Sequence, residues 1–148
     1  MKTKIPPPIV TLVSALLIFF SRELFPSYVF EYQSILSIAI FISGLMILIS
    51  AVSLFKEKET TVNPMSPEKA SSLVVDGVFK YTRNPMYVGM NSFLLGLLII
   101  LNNPINLIFL IIFFFIVRNL FVIKEEAQME ETFGQDYLTY KGKVRRWL

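Results

Sequence analysis

Long uncharged runs constrain the fold of this chain more than any other feature of its sequence. No charged residue lies between Lys4 and Arg22, between Glu31 and Lys56, or from 84 to 117. A helix rises ~1.5 Å per residue, so about 20 apolar residues cross the hydrocarbon of a bilayer. The runs therefore predict an all-α membrane protein.

The third run is too long for one span and predicts a helical hairpin. Asn102, Asn103 and Pro104 interrupt it, a combination typical of a tight turn followed by a new helix. We expect about four transmembrane helices, the last two forming the hairpin, together with a loop and a C-terminal helical tail. The expected spans are 6–21, 33–55, 85–101 and 104–119, the loop is 56–84 and the tail is 120–148, all within a single domain of 1–148.

The first run has an alternative interpretation as a cleaved signal peptide, because Lys2 and Lys4 precede it. No small-residue cleavage pattern follows Phe20, and the charged pair Arg22-Glu23 suits a loop. We therefore expect the first run to be a span.

Positive charge is distributed unevenly between the predicted segments. Of the 14 Lys and Arg residues, only Arg22 falls outside the N-terminal segment, the 56–84 loop and the region from Arg118 to the end. The positive-inside rule places such segments in the cytoplasm. We expect a multi-pass protein with both termini cytoplasmic, in the cell membrane of a prokaryote, and chemistry on its cytoplasmic face.

Missing residue types exclude several classes of function. With no cysteine and no histidine, the chain has no thiolate nucleophile, no Ser-His-Asp triad and no HExxH metal site. Its six glycines never form a G-x-G pair, which argues against a Rossmann-type methyltransferase or dehydrogenase. The predicted spans lack ionisable residues, which disfavours a transporter. Basic residues alternate with acidic ones, so we expect no nucleic-acid partner, and we expect no metal.

The end of the loop has the pattern of a folded segment that leads into a helix. Asp76-Gly77 is a turn signal, and Asn84-Pro85 is typical of an N-cap followed by the first helical residue. Phe79, Tyr81 and Tyr87 lie near this point. Interfacial anchoring explains such aromatic residues, and so does binding of a cationic, adenine-bearing ligand.

The tail predicts a helix that continues the fourth span as far as Gly134. Steps of 100° place four apolar residues on one face, with Glu125 in the middle and Glu126 at the border. The apolar residues are Phe121, Val122, Met129 and Phe133. A carboxylate in an apolar sector needs a partner, which is either a basic loop residue such as Arg83 or a hydrogen-bonding ligand. Arg118, two turns earlier on this face, suits an anion-binding position.

The last residues of the tail are mostly basic and are followed by a tryptophan. They include Lys141, Lys143, Arg145, Arg146 and Trp147. We expect an amphipathic end that lies on the membrane near anionic headgroups, in preference to a catalytic role.

Two motifs in the second half of the chain resemble a known family. They read L-V-x-D-G-V-F-x-Y-T-R-N-P-M-Y-V-G from Leu73 and E-E-x-x-x-E-x-x-F-G-x-x-Y-x-x-Y-x-x-x-V-R-R-W from Glu125. Together they resemble the isoprenylcysteine carboxyl methyltransferases, which are grouped with the phospholipid methyltransferases as small integral-membrane enzymes. The resemblance implies S-adenosylmethionine as cofactor and S-adenosylhomocysteine as product.

The resemblance also implies roles for individual residues. The implied cofactor-binding positions are Leu73, Val74, Phe79, Asn84, Pro85, Met86, Tyr87, Glu125 and Glu126. Arg83 and Tyr87 are implied to have positioning roles, and no catalytic residue is assigned.

The chain departs from the family pattern at two positions. Asn84 replaces the common histidine and cannot act as a base, and Phe121 stands where the family has a substrate-contacting arginine. Recognition of a carboxylate would then depend on Arg118 or Arg83.

The expected function is S-adenosylmethionine-dependent methyl transfer to a lipophilic acceptor, most like isoprenylcysteine carboxyl O-methylation. The partners are the bilayer and that acceptor. The alternative within the superfamily is a phospholipid or small-molecule N- or S-methyltransferase. A non-catalytic four-helix membrane subunit is the alternative of another class. Methyl transfer needs orientation more than acid–base catalysis, which suits a chain without histidine.

Overall fold

The computed structural model describes residues 5–24, 26–60 and 71–148, and the secondary structure of this part is entirely helical. The helices are α1 (Pro7–Phe20), α2 (Gln33–Glu57), α3 (Pro85–Leu101), α4 (Leu107–Val117) and α5 (Ile123–Lys143). Short 3₁₀ turns occupy Ser21–Glu23, Gly77–Lys80 and Pro104–Asn106, and a π-helix at Arg118–Val122 joins α4 to α5.

The predicted break between the third and fourth helices is confirmed. Asn102 ends α3 with a left-handed backbone at φ 55°, and Pro104 begins the short turn that leads into α4. The Asn103 side chain accepts a hydrogen bond from the backbone N–H of Ile105. The residues that mark a turn in the sequence thus form one.

A buried polar cluster holds this hairpin turn against the end of α1. Asn106 is fully buried; its Nδ2 donates to the Ile18 carbonyl at 3.0 Å, and its Oδ1 accepts from Ser21 Oγ at 3.0 Å. Asn103 Nδ2 donates to the Arg22 carbonyl at 3.1 Å. Each amide thereby satisfies a backbone carbonyl at the C-terminal end of the first helical segment.

Helices α2 and α3 pack closely against each other along a seam of small residues. A Cβ on Gly89 would lie 2.8 Å from the Gly44 carbonyl oxygen, so the two backbones approach too closely for a side chain. Further along the seam, Ser37 Oγ donates to the Gly96 carbonyl at 2.7 Å. Small residues of this kind allow close packing where apolar driving force between helices is weak.

Two apolar clusters form the core of the part of the chain that the structure describes. The first cluster joins α1, α3, α4 and the π-helix and contains Ile18, Tyr87, Met90, Leu94, Phe113, Val117, Phe121 and Val122. The second cluster joins α2, the loop before α3 and α5 and contains Ala51, Val74, Phe79, Tyr137 and Tyr140. The start of α3 lies where the two clusters meet.

Apolar surface that faces outward indicates a membrane protein. Helix α2 and the helical stretch Pro104–Lys143 are long and apolar enough to cross a membrane, and α3 is a shorter apolar helix. Only 17% of the most apolar 18 residues of α2 are buried within the protein. A water-soluble protein rarely exposes a contiguous apolar surface of this size, whereas lipid tails cover it without cost.

The tail helix breaks at Gly134, as predicted, and the chain then forms a further helical segment. This residue has φ 51° and ψ −123°, so it breaks the helix as expected, but the chain returns to helix and continues to Lys143. The predicted end of the helix at Gly134 is therefore confirmed as a break, and a second helical segment follows it. The resumed turn carries Tyr137 and Tyr140 into the second cluster, and their burial favours the continued helix.

Candidate functional site

The loop before α3 is folded against the tail. Gly77, at φ 54°, begins the 3₁₀ turn Gly77–Lys80, which turns Phe79 into the second cluster. The Phe79 ring lies 5.3 Å from that of Phe55, and the Phe79 carbonyl accepts a 2.7 Å hydrogen bond from Tyr140 Oη. The loop that leads into α3 and the tail are thus joined by this hydrogen bond and by the second cluster.

Asn84 begins α3 as predicted, but its side chain does not cap the helix. Its Nδ2 donates to Glu126 Oε1 at 3.3 Å and to the Arg146 carbonyl at 3.1 Å. Its backbone carbonyl accepts the N–H groups of Tyr87 and Val88 at 3.1 Å. The residue therefore links the first turn of α3 to both ends of the tail.

Glu126 is the centre of a buried ionic cluster. Its oxygens accept from Arg83 Nη2 at 3.2 Å and from Arg146 Nε and Nη2, the shortest contact being 2.7 Å. The Glu126 and Arg83 side chains are each 8% exposed. Burial alone would raise the pKa of Glu126, but the hydrogen bonds from Arg146 and the two guanidinium charges lower it below its ordinary value.

The last residues of the chain close over the loop. The Arg145 carbonyl accepts the Arg83 N–H at 3.0 Å, and the Arg146 carbonyl accepts Thr82 Oγ1 at 3.0 Å. The Trp147 ring lies 5.0 Å from that of Phe114. The expectation that this end of the tail lies near headgroups stays a prediction; within the protein, Arg146 binds the Glu126 carboxylate and Trp147 packs against Phe114.

Glu125 faces a different partner from Glu126. The Tyr87 hydroxyl donates to Glu125 Oε1 at 2.5 Å, and Tyr87 is 5% exposed. Burial raises the pKa of Glu125 to about 7; the hydrogen bond from Tyr87 opposes the rise, and the charge of Glu126 adds to it. Among the described residues, no salt bridge to Glu125 is found.

The alternatives left open for Glu125 are thereby decided in part. The basic loop residue Arg83 pairs with Glu126 and not with Glu125. The wheel of constant 100° steps assigned Glu126 to the border of the apolar face, yet Glu126 is 6% exposed. Residues from outside its own helical turn bury Glu126, since Arg83, Asn84 and Arg146 all bind its carboxylate.

Phe121 is part of the core beside Tyr87. It is 3% exposed, and its ring stacks on that of Tyr87 with centroids 6.4 Å apart and planes 29° from parallel. The position at which the family resemblance implies a substrate-contacting arginine is therefore an apolar wall in this chain. Arg118, considered as a replacement, donates from Nη1 to Asn119 Oδ1 at 2.8 Å.

The residues implied to bind a cofactor are distributed over three neighbouring groups. Leu73, Val74, Phe79 and Met86 belong to or pack against the second cluster, and Tyr87 belongs to the first. Arg83, Asn84 and Glu126 form the ionic cluster between them, and Pro85 is the buried first residue of α3. Phe79 and Tyr87 are thus not in one aromatic cluster, and Tyr81 is 71% exposed.

Two further residues, to which the sequence assigns no role in the site, are part of this arrangement. Arg146 binds the Glu126 carboxylate, and Thr82, 2% exposed, joins the loop to the last residues. The signal for Arg146 was present in the V-R-R-W ending of the second motif. Arg146 lies 63 residues after Arg83 in the chain, so the sequence alone does not indicate that both bind the same carboxylate.

Comparison with known proteins supports the motif-based resemblance. The family model described as phospholipid methyltransferase matches residues 32–136, which include the Arg83–Tyr87 segment and the Glu125-Glu126 pair. The chain belongs to this family. The match covers α2, α3, α4 and the first part of α5, and the last part of the tail, which carries Arg146, lies beyond it.

Individual relatives agree with the family match. Over 75 residues the chain is 35% identical to the protein-S-isoprenylcysteine O-methyltransferase of Saccharomyces cerevisiae and 37% identical to that of Schizosaccharomyces pombe. These matches cover 49% of this chain and 30% of each yeast enzyme. A Haemophilus influenzae protein named only as uncharacterized is 36% identical over 63 residues, its whole length and 43% of this chain. No solved structure matches the chain. The resemblance to the isoprenylcysteine carboxyl methyltransferase family is therefore confirmed.

Proposed function

We propose that this protein is an S-adenosylmethionine-dependent methyltransferase that acts on a lipophilic acceptor at the cytoplasmic face of a membrane. The observation that carries the proposal is the convergence of both family motifs at the start of α3. There, Glu125 hydrogen-bonds Tyr87, and Glu126 binds Arg83. The names of the yeast relatives support methyl transfer as the reaction class.

The proposed membrane arrangement has four spans. It assigns α1, α2, α3 and α4 to the bilayer and places both termini, the 56–84 loop and the 120–148 tail in the cytoplasm. Outward-facing apolar residues on α2 and the positive-inside distribution of Lys and Arg support it. The motif residues then lie at the cytoplasmic ends of α3 and α4.

Glu125 is the proposed carboxylate for the cofactor. S-adenosylmethionine carries a sulfonium, an ammonium group and ribose hydroxyls, and a carboxylate accepts hydrogen bonds from the last two. Glu125 fits this part because Tyr87 occupies one of its oxygens and no cation neutralises it among the described residues. Val74, Phe79 and Met86 would contact apolar parts of the cofactor, and backbone groups near Asn84 would hold its polar end.

Arg83 offers a second test of fit. Its Nε is buried and has no hydrogen-bond partner, although Nη1 and Nη2 are bound to the Lys141 carbonyl and to Glu126. A buried unpaired donor is costly unless a ligand satisfies it. The carboxylate of the cofactor's methionine part is a suitable acceptor for this group.

The cofactor supplies the electrophilic methyl group, and the chain's own residues supply orientation. Holding donor and acceptor in line can lower a barrier by roughly 7–11 kcal/mol in favourable cases, which requires no histidine or cysteine. The buried ring of Tyr87, stacked on Phe121, gives the site a rigid and water-poor wall. The acceptor would enter sideways from the bilayer between the spans.

The acceptor has two candidate chemistries within this superfamily. An isoprenylcysteine carboxyl group is favoured by the names of the yeast relatives. A phospholipid or small-molecule N- or S-acceptor is favoured by Phe121, since this apolar residue offers no charge to a carboxylate. It is also favoured because Arg146 binds Glu126 and because Arg83 is assigned to Glu126 and the cofactor.

Calorimetric titration of the purified protein with S-adenosylhomocysteine tests the proposal. We expect saturable binding of about one molecule per chain and an increase in thermal stability on binding. If S-adenosylhomocysteine at millimolar concentration produces no heat and no stabilisation, the cofactor assignment is refuted. That result would favour a non-catalytic four-helix subunit.

A further inference from the structure

Arg146 belongs to the ionic cluster, although it lies two residues from the end of the chain. Its Nε is 3.0 Å from Glu126 Oε1 and its Nη2 is 2.7 Å from Oε2, a two-point contact between planar groups. Such bidentate contacts fix direction as well as charge, which a lysine cannot do.

The cluster controls the orientation of the first turn of α5. Glu126 is bound by Arg83 and Asn84 from the start of α3 and by Arg146 from the tail. These three contacts restrain rotation of α5 about its axis at Glu126. Glu125 is the adjacent residue on that helix, so the contacts of Glu126 also determine where the Glu125 carboxylate points.

We propose that Arg146 is a positioning residue for methyl transfer, which acts by holding Glu126 so that Glu125 stays against Tyr87. The proposal rests on the proposed function, because it assigns Arg146 to the same site. Glu126 is then a structural anchor of the site and Glu125 the group that contacts the cofactor.

The neighbouring arginine provides a matched control. Arg145 precedes Arg146, its side chain is exposed, and the contact found for it is made by its backbone carbonyl. Arg145→Gln and Arg146→Gln therefore remove the same charge from the same segment, and only the second removes a contact with Glu126.

The first measurement is the affinity for S-adenosylhomocysteine of the full-length variants. We expect Arg146→Gln to weaken binding about tenfold, and Arg145→Gln less than about twofold. Equal affinities of the two variants would overturn the proposal. If the wild-type protein itself fails to bind, the proposed function fails, and this result is distinct from equal binding by the variants.

The second measurement distinguishes positioning from general destabilisation. Glu125 faces Tyr87 from α3 and Glu126 from its own helix; Glu126 faces Arg83, Asn84 and Arg146 and interacts with Tyr137. Without Arg146, the charge of Glu126 is less neutralised and raises the pKa of Glu125 further. The pH midpoint of binding should therefore move upward in Arg146→Gln, and an unmoved midpoint would contradict the proposal.

Arg146→Lys keeps the test decisive if Arg146→Gln does not fold. Lysine retains the charge and loses the two-point contact. We expect binding about threefold weaker than wild type with the pH midpoint near that of wild type. Binding as tight as that of the wild-type protein would show that the two-point contact is unnecessary and would overturn the proposal.

Discussion

The Tyr87 hydroxyl donates a hydrogen bond to Glu125 across the interface between α3 and α5, 38 residues apart in the chain. Each residue comes from one of the two family motifs, so the bond is the direct physical link between them. Because Tyr87 is buried against Phe121, the position of its hydroxyl is fixed by packing. The site is therefore built on a rigid helix, and the tail is brought to it.

Removal of the Glu125 charge should weaken cofactor binding without unfolding the protein. Glu125→Gln keeps the size of the side chain and its hydrogen bond from Tyr87. It loses the negative charge that attracts the ammonium group of the cofactor. We expect at least about tenfold weaker binding of S-adenosylhomocysteine by calorimetry. Glu131→Gln, at an exposed position on the same helix, is the control, and equal loss in both variants would refute the assignment of Glu125.

Cofactor binding should strengthen as the pH rises through neutrality. The pKa of Glu125 is about 7, above its ordinary value of 4.5, so the carboxyl is protonated below neutrality. Only the ionised form binds an ammonium group well. We expect S-adenosylhomocysteine affinity to rise between pH 6 and 8, on the order of one pH unit either side of that pKa, and to be flatter in Glu125→Gln. A flat wild-type profile would contradict this prediction.

The same carboxyl should make folding stability depend on pH. A raised pKa means that the native state holds a proton that the unfolded chain has lost. This contribution to stability is present below about pH 4.5 and is lost as the pH rises through about 7. The thermal midpoint of the wild-type protein in detergent should therefore fall between pH 5 and 8 relative to that of Glu125→Gln. Parallel curves for the two proteins would be evidence against a raised pKa of the carboxyl at this position.

Loss of the Glu126 charge should destabilise the protein more than loss of Glu125. Glu126→Gln leaves the buried guanidinium of Arg83 without its ionic partner, and breaking a buried pair costs about 3–5 kcal/mol. Because Arg146 is partly exposed and can be solvated, we expect the lower end of this range. Denaturant unfolding monitored by Trp147 fluorescence measures the change. An effect below about 1 kcal/mol, the size typical of exposed pairs, would indicate that the cluster is solvated.

The contact between α2 and α3 should not tolerate a methyl group. A Cβ at Gly89 would lie 2.8 Å from the backbone oxygen of Gly44, which cannot move away as a side chain can. Overpacking of this kind costs about 1–3 kcal/mol, so Gly89→Ala should lower the thermal midpoint. Gly142→Ala is the control, since a Cβ there meets nothing within 4 Å and alanine favours helix. A stable Gly89→Ala variant would contradict the close approach.

The sequence predicted the parts of this structure that depend on local pattern. The apolar helices, the turn at Asn102 and the start of α3 at Pro85 follow from periodicity and from the backbone preferences of Asn and Pro. The pairing of Tyr87 with Glu125 followed from neither, although the family motifs directed attention to both residues.

The features that were missed depend on contacts between distant segments. A helical wheel considers one helix alone, so it assigned Glu126 to the border, whereas Arg83, Asn84 and Arg146 bury it from other parts of the chain. Arg146 was interpreted as a headgroup contact because a basic residue beside a membrane has that role more often. Only the folded position of the tail reveals that Glu126, 20 residues earlier, is its partner.

Transfer of a labelled methyl group tests methyltransferase activity most directly. The purified protein, reconstituted in lipid vesicles with a membrane extract, is incubated with S-adenosylmethionine labelled in the methyl group. We expect label to enter the lipid-soluble fraction, with at least about tenfold less transfer by Glu125→Gln than by Glu131→Gln. Absence of label with the wild-type protein, together with no binding of S-adenosylhomocysteine, would contradict the proposed activity.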